Sequence, residues 1–173
     1  MSSDPLGPRA QVLVLALGNP LLRDDGAGRE ILRELERRVG PDSRVDFVDG
    51  GTQGLALLGL LEDRRATILI DAERGGGAPG TIQVSAEPRL AEGPRGSSAH
   101  EGNAFELLAA ARLTGLRSGP VLLVGIEPQW LGVGVGLSPA VRAALPCAAD
   151  LAYTLLGEAL AGRVGDEVES CTS

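Results

Sequence analysis

The stretch QVLVLALGNPLLRDDGAGREILRELERRV, residues 11–39, decides the fold. Its first part, 11–17, is an apolar run that ends in a Gly-Asn-Pro turn, which is typical of a buried strand in a parallel sheet. Apolar side chains then recur at every fourth position from 27 to 39, and this spacing gives a helix one apolar face. The stretch therefore predicts a strand followed by a helix, the first half of a parallel βαβ unit.

The rest of the chain repeats this alternation of strand and helix. Further strands are predicted at 44–49, 67–70, 81–84 and 120–126, and further helices at 54–61, 103–113 and 139–157. Alternating elements of this kind predict an α/β fold with three layers, a twisted and mostly parallel sheet with helices on both faces. We expect a single domain, 1–173, with a compact core of about 11–160. The ends 1–10 and 162–173 are predicted to be flexible, and 85–99 to be a loop.

Composition excludes several classes of protein. The 173 residues contain 16 arginines, no lysine and 23 acidic residues, which gives a net charge of −7 and no dense basic stretch. Nucleic-acid binding is therefore not expected. The apolar run 12–17 is too short to cross a bilayer and lacks the features of a signal peptide, so we expect a cytoplasmic protein with no membrane contact. The two cysteines have neither a metal-site nor a disulfide spacing.

Acidic side chains follow three successive predicted strands. Asp24 and Asp25 come after the first strand, Asp49 ends the second, and Asp71 directly follows the third. Parallel strands bring their carboxyl ends to one edge, where α/β proteins bind ligands. The only histidine, His100, precedes a predicted helix and can reach the same edge. Two carboxylates and one imidazole suit a divalent first-row metal with open coordination positions.

Each of these residues also has an ordinary structural interpretation. Asp24 or Asp25 could cap the following helix, and spacing alone favours that role over metal binding. Asp49 could stabilise a turn, Asp71 could accept a hydrogen bond from a loop amide, and a histidine at a helix start is often structural. The metal hypothesis therefore depends on the convergence of these residues and not on any one of them.

Other catalytic motifs do not match. The segment Gly136-Leu137-Ser138-Pro139-Ala140 is close to a nucleophile elbow, but Ser138 and Pro139 are better suited to begin a helix. A chain without lysine cannot hold a Walker A motif, and the turn after the first strand is not a dinucleotide-binding loop.

Six segments together resemble the hydrogenase maturation endopeptidases, which process the large subunit of [NiFe] hydrogenases. The resemblance extends over about 11–157. The segments are VLVLALGNPLLRDDGAG (12–28), VDGGTQGL (48–55), ILIDAERGGGAPGTI (68–82), SAHEGN (98–103), LLVGIEPQWL (122–131) and GLSPAV (136–141).

The resemblance implies a site and a function. Asp25, Asp71 and His100 match the family's metal-binding positions and are the expected catalytic residues; many relatives carry Glu in place of Asp25. Asp49, Gly50 and Thr52 match a segment that helps to recognise substrate. The expected reaction removes a C-terminal extension from the nickel-loaded large-subunit precursor. Nickel would be presented by that substrate, with another divalent metal able to substitute, and the protease itself could act as a monomer.

Two other functions fit the same residues. A nickel-binding assembly chaperone would use the three ligands without cutting its partner. A small-molecule hydrolase would use Asp71 and His100 as a dyad. Cleavage of a precursor separates the first from the expected endopeptidase, and chelator-resistant ester hydrolysis would indicate the second.

Overall fold

The computed structural model describes residues 10–86 and 104–164. It contains five strands, which we number in chain order: β1 (Val12–Leu17), β2 (Val45–Gly51), β3 (Ala66–Ala72), β4 (Ile82–Ala86) and β5 (Val121–Ile126). The helices are α1 (Ala27–Val39), α2 (Leu58–Leu61), α3 (Ala104–Leu113) and α4 (Pro139–Ala161). Short 3-10 helices over Arg23–Gly26 and Gly54–Leu57 lead into α1 and α2.

One sheet has the strand order β2-β1-β3-β5-β4. The first four strands in this order are parallel, and β4 pairs with β5 in the antiparallel direction. β1, β3 and β5 are almost entirely buried, as expected for central strands covered on both faces. The three-layer α/β prediction is therefore confirmed.

Alternate residues of the central strands supply two separate cores. One core packs β1, β3 and β5 against α1 and α4, through residues such as Val14, Ile68 and Leu155. The other packs the opposite face against α2 and α3, through residues such as Leu15, Leu69 and Leu107. The candidate site residues Asp25, Asp49 and Asp71 lie at the carboxyl ends of the parallel strands.

The boundaries of several elements differ from the predicted ones. Asp71 lies inside β3 and not after it, because its backbone still pairs with Gly125 of β5. α4 continues beyond 157 to Ala161, since Ala159 is still buried, and the left-handed Gly162 then ends the helix. Ser138 caps α4 as predicted, with its hydroxyl accepting a hydrogen bond from the Val141 amide at 3.4 Å.

The chain at both ends of the described region packs further than the predicted core of 11–160. Ala10 is buried and its carbonyl accepts a hydrogen bond from Arg64 at 2.7 Å, while Val164 packs against the α1–α4 core. The predicted flexible segments 1–9 and 165–173 lie outside the described residues, as does most of the predicted loop 85–99. Among the helices that the structure describes, none has the length and apolarity needed to span a membrane.

Candidate active site

Asp25 is presented by a tightly folded loop between β1 and α1. Its Oδ2 atom accepts a hydrogen bond from the Asn19 amide at 2.6 Å, and the side chain is half-buried. Gly18 begins this loop with φ +114, and a Cβ there would lie 1.9 Å from the Asp25 carbonyl oxygen. A Cβ at Gly28 would likewise lie 2.8 Å from backbone oxygens of Leu17 and Ile70. These glycines allow the loop and the start of α1 to approach β1 and β3 closely.

Gly18→Ala is expected to destabilise the protein by about 3 kcal/mol or more, because the new methyl group meets backbone and φ is unfavourable for alanine. Gly59→Ala is the matched control, since among residues 10–86 and 104–164 no atom outside its own helix backbone and chain neighbours lies within 4 Å of the added Cβ. Alanine there should leave stability unchanged or raise it by up to about 1 kcal/mol. Urea unfolding of both variants tests the comparison, and equal stabilities would contradict it.

Asp71 carries a buried carboxyl group at the carboxyl-end edge of the sheet. It is 4% exposed, and its Oδ2 atom accepts a hydrogen bond from the Ala104 amide at the start of α3, at 3.2 Å. Burial raises the pKa of Asp71 to about 7, and the nearby charge of Asp25 raises it further against the hydrogen bonds from Ala104 and Ala72. The carboxyl group therefore changes its charge near neutral pH, and a cation next to it would favour the ionised form.

His100 lies outside the described residues, so the structure leaves its predicted role untested. It is four residues before Ala104, whose amide contacts Asp71. Within residues 10–86 and 104–164, no group of three or more His, Cys, Asp or Glu side chains is arranged to hold a metal ion.

The predicted substrate-binding residues lie at the end of β2. Asp49 is exposed and forms an ion pair with Arg29, with 2.9 Å between Arg29 Nε and Asp49 Oδ2. Gly50 is buried, and a Cβ there would come within 2.8 Å of the side chains of Leu15 and Leu57. Thr52 is exposed. β1 separates this group from Asp71, so the segment flanks the Asp25–Asp71 pair without joining it.

The structure separates the roles of the two adjacent aspartates. Asp24 is completely buried, and its carboxylate accepts three backbone hydrogen bonds, from Gln129 at 2.9 Å, Trp130 at 2.8 Å and Ser138 at 2.6 Å. Burial would raise the pKa of Asp24, but these hydrogen bonds together outweigh it and hold the pKa below its usual value. Asp24 thus joins the loop after β1 to the loop after β5, whereas Asp25 remains accessible to a ligand.

The prediction that one of these aspartates caps α1 is wrong. The residue before α1 is Gly26, and no side chain makes a capping hydrogen bond there. Asp24 instead bonds to a segment more than a hundred residues away, and Asp25 bonds to Asn19. Sequence spacing reveals local caps but not such distant donors.

Sequence reasoning missed two further acidic residues at this edge. Burial raises the pKa of Glu73 to about 8, with contributions from the charges of Asp71 and Glu127, so the Glu73 carboxyl retains its proton at neutral pH. Glu127 is buried and accepts hydrogen bonds from the amides of Gly75, at 2.6 Å, and Gly77, at 3.3 Å. Glu127 directly follows β5, so the strand-end pattern that pointed to Asp71 also pointed to this residue.

Comparisons with known proteins agree with this architecture. The sequence model of the HycI hydrogenase maturation protease family matches residues 30–155. The Hydrogenase 2 maturation protease of Escherichia coli is 34% identical over 150 residues, which cover 86% of this chain and 92% of that protein. The HupD hydrogenase expression/formation protein of Bradyrhizobium diazoefficiens is 34% identical over 155 residues, covering 86% of this chain and 79% of its own length.

Solved structures give the same result. The hydrogenase maturating endopeptidase HybD from E. coli superposes with a TM-score of 0.76 and 36% identity, covering 86% of this chain and 93% of its own. The [NiFe] hydrogenase maturation protease HybD from Thermococcus kodakarensis has a TM-score of 0.64 and 26% identity, and the match covers 84% of this chain and 98% of that protein. Fold and sequence thus define a protease of the α/β class, and the chain belongs to the hydrogenase maturation protease family. It is an endopeptidase of hydrogenase maturation.

Proposed function

We propose that this endopeptidase removes the C-terminal extension of the large-subunit precursor of a [NiFe] hydrogenase after nickel has been inserted. Asp25, Asp71 and His100 would hold the nickel that the substrate presents. The observation that carries the proposal is the buried Asp71 carboxyl beside Asp25, at the edge where α/β proteins bind ligands. The relative from T. kodakarensis is a [NiFe] hydrogenase maturation protease, and that metal class supports nickel as the cation.

The chemistry of the donors fits this metal. Carboxylate oxygens and a neutral imidazole bind divalent nickel, and both must be deprotonated to do so. Since the Asp71 carboxyl loses its proton only near pH 7, nickel would displace that proton on binding. Three protein ligands leave coordination positions for the substrate's own ligands and for water or the scissile carbonyl. A precursor without nickel would offer these residues nothing to bind, which explains how cleavage could depend on metal insertion.

Ser138 gives no alternative route through a serine nucleophile. Its side chain is buried, its hydroxyl caps α4, and its amide donates to Asp24. The family relationship favours the endopeptidase over both the assembly chaperone and the small-molecule hydrolase.

The test is the intact mass of a [NiFe] hydrogenase large-subunit precursor from the same organism, in nickel-loaded and nickel-free forms, before and after mixing with the protein. We expect the loaded form alone to lose a C-terminal peptide. Cleavage of both forms would overturn the nickel requirement. Stable complex formation without cleavage of either form would overturn the proposed reaction and favour the chaperone.

His100→Ala is expected to abolish cleavage of the loaded precursor and to weaken nickel binding by tenfold or more, because one of three ligands is lost. Asp150→Asn is a suitable control, since Asp150 lies on the surface of α4, where it pairs with Arg38. Titration with nickel alone and cleavage of the loaded precursor are measured for both variants. Unchanged nickel affinity in His100→Ala would exclude His100 as a ligand.

A further inference from the structure

A groove of about 570 Å³ is lined by the segments that follow β1, β3 and β5. Its lining residues are Arg23, Arg74, Gln129, Trp130, Leu131 and Gly132. Arg23 precedes Asp25 by two residues, and Arg74 follows Asp71 by three, so the groove lies at the same carboxyl-end edge of the sheet as these aspartates. We call it the Arg23–Trp130 groove. Its volume is within the range of sites that bind small ligands, and it can accept several side chains of a peptide.

The Arg23 side chain is held in position over this groove. The Arg23 amide donates to the Gly134 carbonyl at 3.0 Å, and the Gly134 amide donates to the Leu21 carbonyl at 2.8 Å. A Cβ at Gly134 would lie 2.8 Å from Arg23 Nε, so the guanidinium packs directly against this backbone and would have to shift if position 134 carried a side chain. The guanidinium carbon is 6.0 Å from the centre of the Trp130 ring, within range of a cation–π contact.

The charge of the groove is opposite to that of the protein. The chain has a net charge of −7, yet the two charged residues that line the groove are Arg23 and Arg74. Among the described residues, neither of these arginines forms an ion pair, whereas seven others do: Arg29, Arg33, Arg37, Arg38, Arg44, Arg64 and Arg117. A guanidinium binds a carboxylate through two parallel hydrogen bonds, which makes a carboxylate the complementary ligand.

Apolar surface accompanies this charge. Trp130 is 48% exposed, and Leu131 beside it is half-buried. Exposed tryptophan and arginine side chains are enriched among the residues that dominate binding energy in protein interfaces. The groove therefore suits a peptide that carries an acidic side chain next to an apolar one.

We propose that the Arg23–Trp130 groove binds the segment of the substrate protein next to the cleavage site, with Arg23 and Arg74 holding an acidic side chain and Trp130 contacting an apolar one. This inference rests on the proposed function, because it takes the large-subunit precursor as the substrate. A precursor whose metal lies at Asp25 and Asp71 must extend past this edge, and the groove lies at the same edge. The groove would then select among precursors, since nickel alone is common to all of them.

The experiment couples changes in the protease with changes in the substrate. The protease variants are Arg23→Gln and Arg74→Gln, which remove charge and keep much of the side chain. The control is Arg163→Gln, because Arg163 is exposed just after α4, at the amino-end edge of the sheet. The substrates are the nickel-loaded precursor and versions in which each acidic residue flanking the cut is replaced by its amide. Initial rates of cleavage give kcat and KM for each pair.

We expect Arg23→Gln to lower kcat/KM about tenfold on the unaltered precursor, mainly through KM, and to have no further effect on one of the amide-substituted precursors. Arg74→Gln should show the same dependence on the same acidic residue, and Arg163→Gln should match the wild type. The proposal would be overturned if Arg23→Gln and Arg74→Gln lowered kcat/KM equally on every precursor, or did not lower it on any. Thermal unfolding of each variant identifies any loss that reflects misfolding. If the wild-type protein cuts no loaded precursor, the proposed function itself fails, which is a different result.

Discussion

Asp71→Asn is expected to abolish cleavage of the precursor and, at the same time, to stabilise the metal-free protein. The amide keeps the shape of the side chain but removes the negative charge that would bind nickel. It also removes the cost of burying that charge, because Asp71 is 4% exposed. Loss of activity combined with a gain in stability is typical of a residue retained for function and not for folding.

The gain in stability depends on pH. The pKa of Asp71 is about 7 in the folded protein, against an ordinary aspartate pKa of 3.8. Between these pH values the folded state keeps a proton that the unfolded state has lost, so the free energy of unfolding of the wild type falls as pH rises from about 4 to about 7. Asparagine does not titrate. The advantage of Asp71→Asn should therefore be small at pH 4 and largest above pH 7, on the order of a few kcal/mol at about 1.4 kcal/mol per pKa unit.

Urea unfolding in the presence of a chelator at pH 4.5 and pH 8, with cleavage assays at pH 8, tests both parts of this prediction. Asp150→Asn provides the comparison, because its exposed ion pair with Arg38 should contribute no more than about 1 kcal/mol. Normal cleavage by Asp71→Asn would remove Asp71 from the site. If Asp71→Asn were less stable than the wild type at pH 8, the ionised Asp71 carboxylate of the wild type would be stabilised by a partner in the folded protein, which would contradict the prediction.

Asp24→Asn is expected to cost about 2–4 kcal/mol of stability and most of the activity, although Asp24 touches no substrate in our proposal. An amide has one oxygen and one NH2 group, whereas the three backbone donors at Gln129, Trp130 and Ser138 need acceptors on both sides of the carboxyl group. At least one donor would face another donor in a buried position. The loops on either side of the site would then separate.

Asp25→Asn is the matched comparison for this second prediction. Asp25 is half-buried and accepts a single backbone hydrogen bond, from Asn19, which an asparagine oxygen can also accept. The Asp25→Asn variant should therefore be as stable as the wild type but cleave far less precursor. The cost of Asp24→Asn should also shrink below about pH 4, since the low pKa of Asp24 stabilises the fold only while the carboxylate is ionised. Chemical denaturation of both variants at pH 3.5 and pH 7 measures this difference. Equal stabilities at pH 7 would show that the loops do not depend on Asp24.

The fold was predictable because its signals are local and repeated. The apolar run of β1, the four-residue spacing of α1 and the Ser138-Pro139 start of α4 each act over a few residues, and the strand-end rule then brought Asp25 and Asp71 to one edge. The strand-end rule also marks the position of Glu127, but the hydrogen-bond partners of Asp24 and Glu127 were not predictable in this way. Their partners are backbone amides 105 and 52 residues away, respectively, and no side-chain pattern marks such donors.

The contact between Asp24 and Ser138 has a consequence for how the enzyme is made. The two residues are 114 positions apart, so the carboxylate near the start of the chain meets this donor only after residue 138 has left the ribosome. β1 and α1 can pair earlier through contacts close in sequence, but closing so large a loop is costly before the intervening strands exist. A nascent or truncated chain that ends before residue 138 therefore lacks this connection between the loops after β1 and β5.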